Sequence, residues 1–234
     1  MADPQRELTF FLAGPERRLL RAIARRVPAA LTSDHFTILG VLGATAAGVA
    51  YALSASHVVW LWMASAAVAV NWLGDSLDGT LARVRHTERP RYGYYLDHLV
   101  DAYSTAVIGI GLGLSPFFSL RLALGLVVVY LALSINVYLE SAVFGKFRLG
   151  YGRFGPTEVR AVLIVLNLAA PFFPVGFTRL IGDTALAAAA FVMLAMLAVR
   201  CARNLRDLAR LEPPVRIDRR GSVRAGTRHA TSLG

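Results

Sequence analysis

The stretch Asn71-Trp72-Leu73-Gly74-Asp75-Ser76-Leu77-Asp78-Gly79-Thr80-Leu81-Ala82-Arg83 ends one long apolar run, and Gly93-Tyr94-Tyr95-Leu96-Asp97-His98-Leu99-Val100-Asp101 begins the next. On a helix, Asp75, Asp78, Gly79 and Ala82 fall at i, i+3, i+4 and i+7 and therefore on one face. Gly93, Asp97 and Asp101 fall at i, i+4 and i+8 and share a face of the following helix. The segment from Val84 to Tyr92 is short, which predicts antiparallel neighbours whose acidic stripes meet at one depth. Ionisable side chains inside apolar helices are costly in hydrocarbon and mark function by default.

The rest of the chain fits that setting. Of 234 residues, 56% are hydrophobic and only 17% charged, with a mean hydropathy of +0.52, outside the range of soluble domains. Six stretches are predicted to span a membrane, roughly residues 35–55, 58–82, 93–114, 118–143, 156–176 and 179–201. With both termini on the cytoplasmic side, only Arg121 and Arg179 of the 25 Lys and Arg residues fall on the opposite side. That is the positive-inside pattern. The expected fold is all-α, a polytopic bundle of six transmembrane helices, in a bacterial-type inner (plasma) membrane. The N-terminus lacks the residue order of a cleaved signal peptide, so the chain is expected to enter the membrane by its own spans.

Before the first span, Leu19, Leu20, Ile23 and Val27 form one stripe with arginines opposite, which predicts an amphipathic helix lying at the interface. The expected organisation is therefore a cytoplasmic N-terminal segment (1–30), a transmembrane catalytic domain (31–210) and a basic, disordered tail (211–234) attracted to anionic lipid. The net charge of +10 belongs to this topology, and no nucleic-acid partner is expected. The single cysteine, Cys201, excludes an internal disulfide, and no Cys/His cluster has zinc-site spacing.

Four carboxylates near hydrocarbon repel one another, by roughly 4 kcal/mol for a pair 4 Å apart at an effective dielectric of 20. They need cations or protons. Oxygen-only ligands favour hard ions such as Mg²⁺ or Mn²⁺, and four carboxylates balance two divalent ions. A two-metal site suits phosphoryl chemistry. The small side chains at Gly79, Ala82 and Gly93 admit a ligand close to the backbone, and Arg83 can pair with a phosphate. Two other readings of the aspartates are helix caps neutralised by Arg83, Arg85 and Arg91, and an ion or proton pathway through the membrane.

These residues resemble the signature of the CDP-alcohol phosphotransferase (CDP-alcohol phosphatidyltransferase) family, Asp-x-x-Asp-Gly-x-x-Ala-Arg followed by Gly-x-x-x-Asp-x-x-x-Asp. Every fixed position is filled, by Asp75, Asp78, Gly79, Ala82 and Arg83 and then by Gly93, Asp97 and Asp101. Nine residues separate Arg83 from Gly93, where the pattern usually has eight. The Pro-Asn pair common before the first span in the family is replaced by Leu31-Thr32-Ser33-Asp34-His35. The resemblance implies that Asp75, Asp78, Asp97 and Asp101 bind two divalent metal ions, that Gly79, Ala82, Arg83 and Gly93 hold the CDP moiety, and that Asp101 is the general base. It also implies a metal-dependent transfer of a substituted phosphate from a CDP-alcohol to an acceptor alcohol with release of CMP, in phospholipid synthesis, by a homodimer. The expected donor is CDP-diacylglycerol and the acceptor a polar alcohol. A CDP-aminoalcohol donating to diacylglycerol is the second reading, and an ion-coupled transporter the alternative from another class. The Asp97-His98 pair is similar to the aminoalcohol branch, while a packing role for His98 remains open.

The segment from Gly145 to Arg160 is broken by glycines and basic, and Pro156 suits the first turn of a helix. Lys146, Arg148, Arg153 and Arg160 are candidates to receive the phosphate of an acceptor or lipid headgroup; ordinary positive-inside charge, with Glu158 pairing Arg160, is the alternative. Asn136 and Glu140 either reach the pocket or make a hydrogen bond within the bundle.

Overall fold

A computed structural model of the chain describes residues 12–144, 155–213, 216–217 and 223–224. Among these, seven α-helices follow one another: α1 (Ala13–Ala24), α2 (Ser33–Leu53), α3 (Val59–Arg85), α4 (Pro90–Leu114), α5 (Leu120–Phe144), α6 (Pro156–Ala169) and α7 (Val175–Leu211). Two residue pairs, Arg216–Ile217 and Val223–Arg224, form a minimal antiparallel bridge. Most of the tail expected to be disordered lies outside the described residues.

Three helices, Ser33–Leu53, Leu120–Phe144 and Val175–Leu211, are long and apolar enough to cross a membrane. The helices α3 and α4 are as long, at 27 and 25 residues, but carry the aspartates and arginines that lower their hydropathy. The expected fifth span is shorter than its sequence window. Pro171 interrupts it: α6 has 14 residues, about 21 Å at 1.5 Å per residue, and a 3-10 turn (Ala170–Phe172) follows. The last helix starts at Val175 and continues to Leu211, beyond the expected end at 201.

α2 is the hub. Its small residues admit the backbones of two other helices, the close approach that glycine allows in apolar bundles. A Cβ at Gly74 of α3 would stand 2.4 Å from the Gly40 nitrogen, and one at Gly111 of α4 would stand 2.3 Å from the Gly48 carbonyl oxygen. The core gathers around α2, with Ala44, Ala47 and Tyr51 fully buried. Buried Asn167 of α6 donates to Tyr51 Oη (2.7 Å) and Ser65 Oγ (3.1 Å), tying α6 to α2 and α3.

This packing corrects one expectation. α3 packs on α2, α6 and α1, and α4 packs on α2 and α5, so α3 and α4 do not pack along their lengths as direct neighbours. The physical reason is the glycine-lined contact of each with α2, which draws both of them against that helix. His86, with φ 55°, ends α3 in the left-handed conformation, and Pro90 opens α4 after a connection of only a few residues.

The amphipathic helix also differs in part. Leu20 and Ala24 are buried against Leu77 and Leu81 at the acidic end of α3, with Ile23 and Val27 packed around them. Leu19, assigned to the same stripe, is 51% exposed. Arg85 donates to the carbonyls of Leu31, Val27 and Pro28, holding the α1–α2 turn against the end of α3. At the corresponding end of α5 and α7, Glu140 accepts both Nε (3.0 Å) and Nη2 (2.6 Å) of Arg200, together with the side chains of Asn136 and Asn204. Asn136 and Glu140 thus serve a helix-to-helix clamp.

Candidate active site

The helical registers place Asp75 and Asp78 on the last turns of α3, and Asp97 and Asp101 on the first turns of α4. All four side chains are partly buried, and every pair among them lies within Coulombic range. Although α3 and α4 do not pack along their lengths, their acidic stripes therefore lie close enough to interact.

Each carboxylate has its own surroundings. Asp75 accepts a hydrogen bond from Arg160 of α6, Nη2 to Oδ2 at 2.8 Å, in a pair whose side chains are 17% and 20% exposed. Asp78 accepts the Thr37 hydroxyl of α2 at 2.7 Å. Asp97 lies 3.6 Å from His98 Nδ1 and is the most open of the pair, at 41% exposed. Asp101 lies within Coulombic range of the other three carboxylates and of Arg160.

Asp97, His98 and Asp101 present ligand atoms that all lie within 4.8 Å of one another, a grouping that can hold a metal ion. The donor set fits a hard divalent ion, because four carboxylates face one another and Arg160 is the cation hydrogen-bonded to them among the described pairs. His98 is also held between two aromatic rings: it stacks on Tyr138 of α5 at 4.5 Å and meets Tyr94 edge-on at 4.2 Å. Packing therefore accounts for much of its position.

The residues expected to meet CDP stand on the same two helices as the aspartates. The Arg83 guanidinium folds over the α-carbon of Gly79, where an added Cβ would stand 3.2 Å from its Nη1, and Arg83 donates to Thr80 Oγ1 at 3.2 Å. A Cβ at Gly93 would meet nothing within 4 Å, so the backbone there is open. Ala82, one turn beyond Asp78 on α3, is half-buried. Asp34, where the family pattern has its Pro-Asn pair nearby, forms an ion pair with Arg89 of the α3–α4 connection.

Of the basic residues proposed for an acceptor phosphate, Lys146, Arg148 and Arg153 lie outside the described residues. Arg160 reaches the carboxylate cluster. Glu158 does not hold it; its carboxylate accepts the backbone N–H groups of Leu12 and Gly155, both at 2.9 Å.

Two side chains that bear on the site escaped the sequence reading. Thr37 sits in an apolar run with no local mark of its role, yet it orients Asp78 from a different helix. Glu16, a first-turn residue of α1, accepts hydrogen bonds from Trp72, Ser76 and Thr157. Outer contacts of this kind typically fix the orientation of a ligating group. Thr37→Val is expected to weaken divalent-ion binding about 10- to 100-fold, with Thr37→Ser restoring it. Titration of the purified protein with Mn²⁺, followed by electron paramagnetic resonance, checks this; an unchanged affinity for the valine variant would remove Thr37 from the site.

Beside Thr37, an open groove between α2 and α4 is lined by Ile38, Val41, Leu42, Leu96 and Val100. It gives the polar cleft an apolar flank.

The profile of the CDP-alcohol phosphatidyltransferase family matches residues 30–199. No curated protein matches the chain. Similar solved structures include the Mycobacterium tuberculosis phosphatidylinositol phosphate synthase (PgsA1) with CDP-DAG bound. The likeness has a TM-score of 0.54 at 21% identity, over 84% of this chain and 94% of that one.

Proposed function

The chain belongs to the CDP-alcohol phosphatidyltransferase family, and on that premise we propose that it transfers the phosphatidyl group of CDP-diacylglycerol to a polar alcohol, releasing CMP. The observation that carries this reading is the convergence of Asp75, Asp78, Asp97 and Asp101 from two helices on one cleft. The CDP-DAG bound to the Mycobacterium tuberculosis enzyme of similar fold supports the choice of donor. The groove between α2 and α4 suits a hydrocarbon chain laid beside the polar reactants.

The four aspartates would hold two divalent ions, Mg²⁺ or Mn²⁺, which supply charge neutralisation for the diphosphate and the leaving phosphate. Arg83, with the close backbone at Gly79 and Ala82 and the open backbone at Gly93, receives the CDP moiety. Arg160 is a guanidinium at the cleft for an acceptor phosphate or for the charge on the reacting phosphoryl group. Asp101 takes the proton of the acceptor hydroxyl as that oxygen bonds to the β-phosphorus. The bond from the β-phosphorus to the bridging oxygen breaks, and that oxygen leaves on CMP.

The membrane setting follows from the sequence. Six spans, with both termini and the cleft on the cytoplasmic side of a bacterial-type inner membrane, match the distribution of basic residues. The catalytic unit is residues 31–210, acting as a homodimer. The cytoplasmic placement lets a soluble nucleotide leave while a lipid enters sideways.

The test is CMP release by the purified protein in detergent with Mg²⁺ or Mn²⁺, across CDP-diacylglycerol, CDP-choline, CDP-ethanolamine and CDP-inositol with candidate acceptors. Release from CDP-diacylglycerol alone, lost with a chelator and regained with the metal, is the expected result. Release from a CDP-aminoalcohol with diacylglycerol would reverse the donor assignment, and no release from any pair by folded protein would overturn the reading.

A further inference from the structure

α1 does more than cover the end of α3. Its Glu16 Oε1 accepts the Trp72 indole N–H at 2.9 Å, the Ser76 hydroxyl at 3.3 Å and the Thr157 hydroxyl at 2.8 Å. Trp72 and Ser76 stand on either side of Asp75 in α3, and Thr157 lies three residues before Arg160 in α6. Arg160 in turn reaches back to Asp75 at 2.8 Å. The contacts close a ring: Glu16 to α3, α3 through Asp75 to Arg160, and α6 through Thr157 back to Glu16.

A second carboxylate reinforces the ring at the same place. Glu158, buried at 6% exposure, accepts the N–H of Leu12 at the start of α1 and that of Gly155 at the start of α6. The apolar side of α1 locks onto α3 through Leu20 and Ala24. The first turn of α6 is thus fastened to α3 through α1. The rotation and height of that turn decide where a side chain one turn further along, Arg160, can reach.

We propose that Glu16 is a positioning residue: by holding Thr157 against Trp72 and Ser76 it sets Arg160 on Asp75, making α1 part of the active-site assembly. This rests on the reading of Asp75 as part of a divalent-metal site. Glu16 touches no reacting atom. It acts through hydrogen bonds, and its charge, which is within Coulombic range of Asp75, is secondary.

The test is a double-mutant cycle on Mn²⁺ affinity, measured by electron paramagnetic resonance on the full chain in detergent without any CDP-alcohol. Glu16→Ala and Arg160→Ala shift the dissociation constant in the same direction, each by about tenfold or more. The double variant shifts no further than either alone, since both remove one arrangement. Glu16→Gln keeps an accepting oxygen and shifts the constant less than Glu16→Ala does. Thr157→Val, which removes one arm of the ring and leaves α1 on its apolar seat, shifts the constant in the same direction as Glu16→Ala and serves if Glu16→Ala does not fold. Multiplying effects in the double variant, equal effects of Gln and Ala at position 16, or a lower melting temperature with an unchanged constant would each overturn the proposal. A wild-type protein that binds no Mn²⁺ would instead overturn the metal-site reading on which it stands.

Discussion

Asp101→Asn is expected to reduce CMP release by roughly 10²- to 10⁴-fold, the range that a positioned general base supplies, without loss of the fold. Asparagine keeps the shape of the side chain but cannot take the acceptor proton. Asp101 is also one of four carboxylates within Coulombic range of one another, so the substitution removes a charge from a crowded cleft. The metal-free variant should therefore melt no lower than the wild type, because relief of like-charge repulsion offsets any lost hydrogen bonding. The two roles proposed for Asp101, base and metal ligand, separate on titration with Mn²⁺. If activity stays low when the ion is saturating, the proton goes to Asp101. If saturating Mn²⁺ restores the rate, Asp101 is a ligand only and another group accepts the proton.

Gly74→Leu should be among the most destabilising single substitutions in the chain. Even a Cβ at that position would stand 2.4 Å from the Gly40 nitrogen, 2.6 Å from the Gly40 α-carbon and 2.6 Å from the Phe36 carbonyl oxygen. Carbon atoms in favourable contact are about 3.5–4.0 Å apart, and a clash with helix backbone cannot be relieved by turning a side chain. α2 and α3 must separate, at a cost of about 3 kcal/mol or more. The separation would also carry Asp78 away from Thr37, which bonds it across that interface. Gly125 is the matching control, since a Cβ there meets nothing within 4 Å. Gly125→Ala should be neutral or stabilising by up to about 1 kcal/mol through helix propensity. Thermal unfolding of the three proteins in one detergent compares them, and equal melting temperatures for Gly74→Leu and wild type would show that α2 and α3 are not in backbone contact.

What could be read from the sequence was whatever a single segment carries. The period of the helix, set by covalent geometry, puts Asp75 and Asp78 on one face and Asp97 and Asp101 on another without any knowledge of partners. The same residues carry the family membership that the profile over residues 30–199 establishes. Long apolar runs located α2, α5 and α7 as helices long and apolar enough to cross a membrane, and Pro156 marked the start of α6. The shortness of α6 was visible only faintly, in Pro171 inside an apolar window.

What escaped was whatever depends on two segments meeting. The short link from Val84 to Tyr92 argued for direct packing of α3 on α4, yet glycines on α2 form a better seat for each of them, and a connection length says nothing about a third helix between. Thr37 and Glu16 looked like ordinary polar residues, because their importance lies in Asp78 and in Trp72, Ser76 and Thr157, all distant in sequence. Arg160 was one of several basic candidates until α6 brought it to Asp75. By itself, the sequence determined which chemical groups the protein owns and how each helix displays them; only the tertiary structure decided which helix supports which carboxylate. The physical reason is that a side chain's direction follows from its own backbone, whereas its partner is selected by close packing between segments that share no local signal.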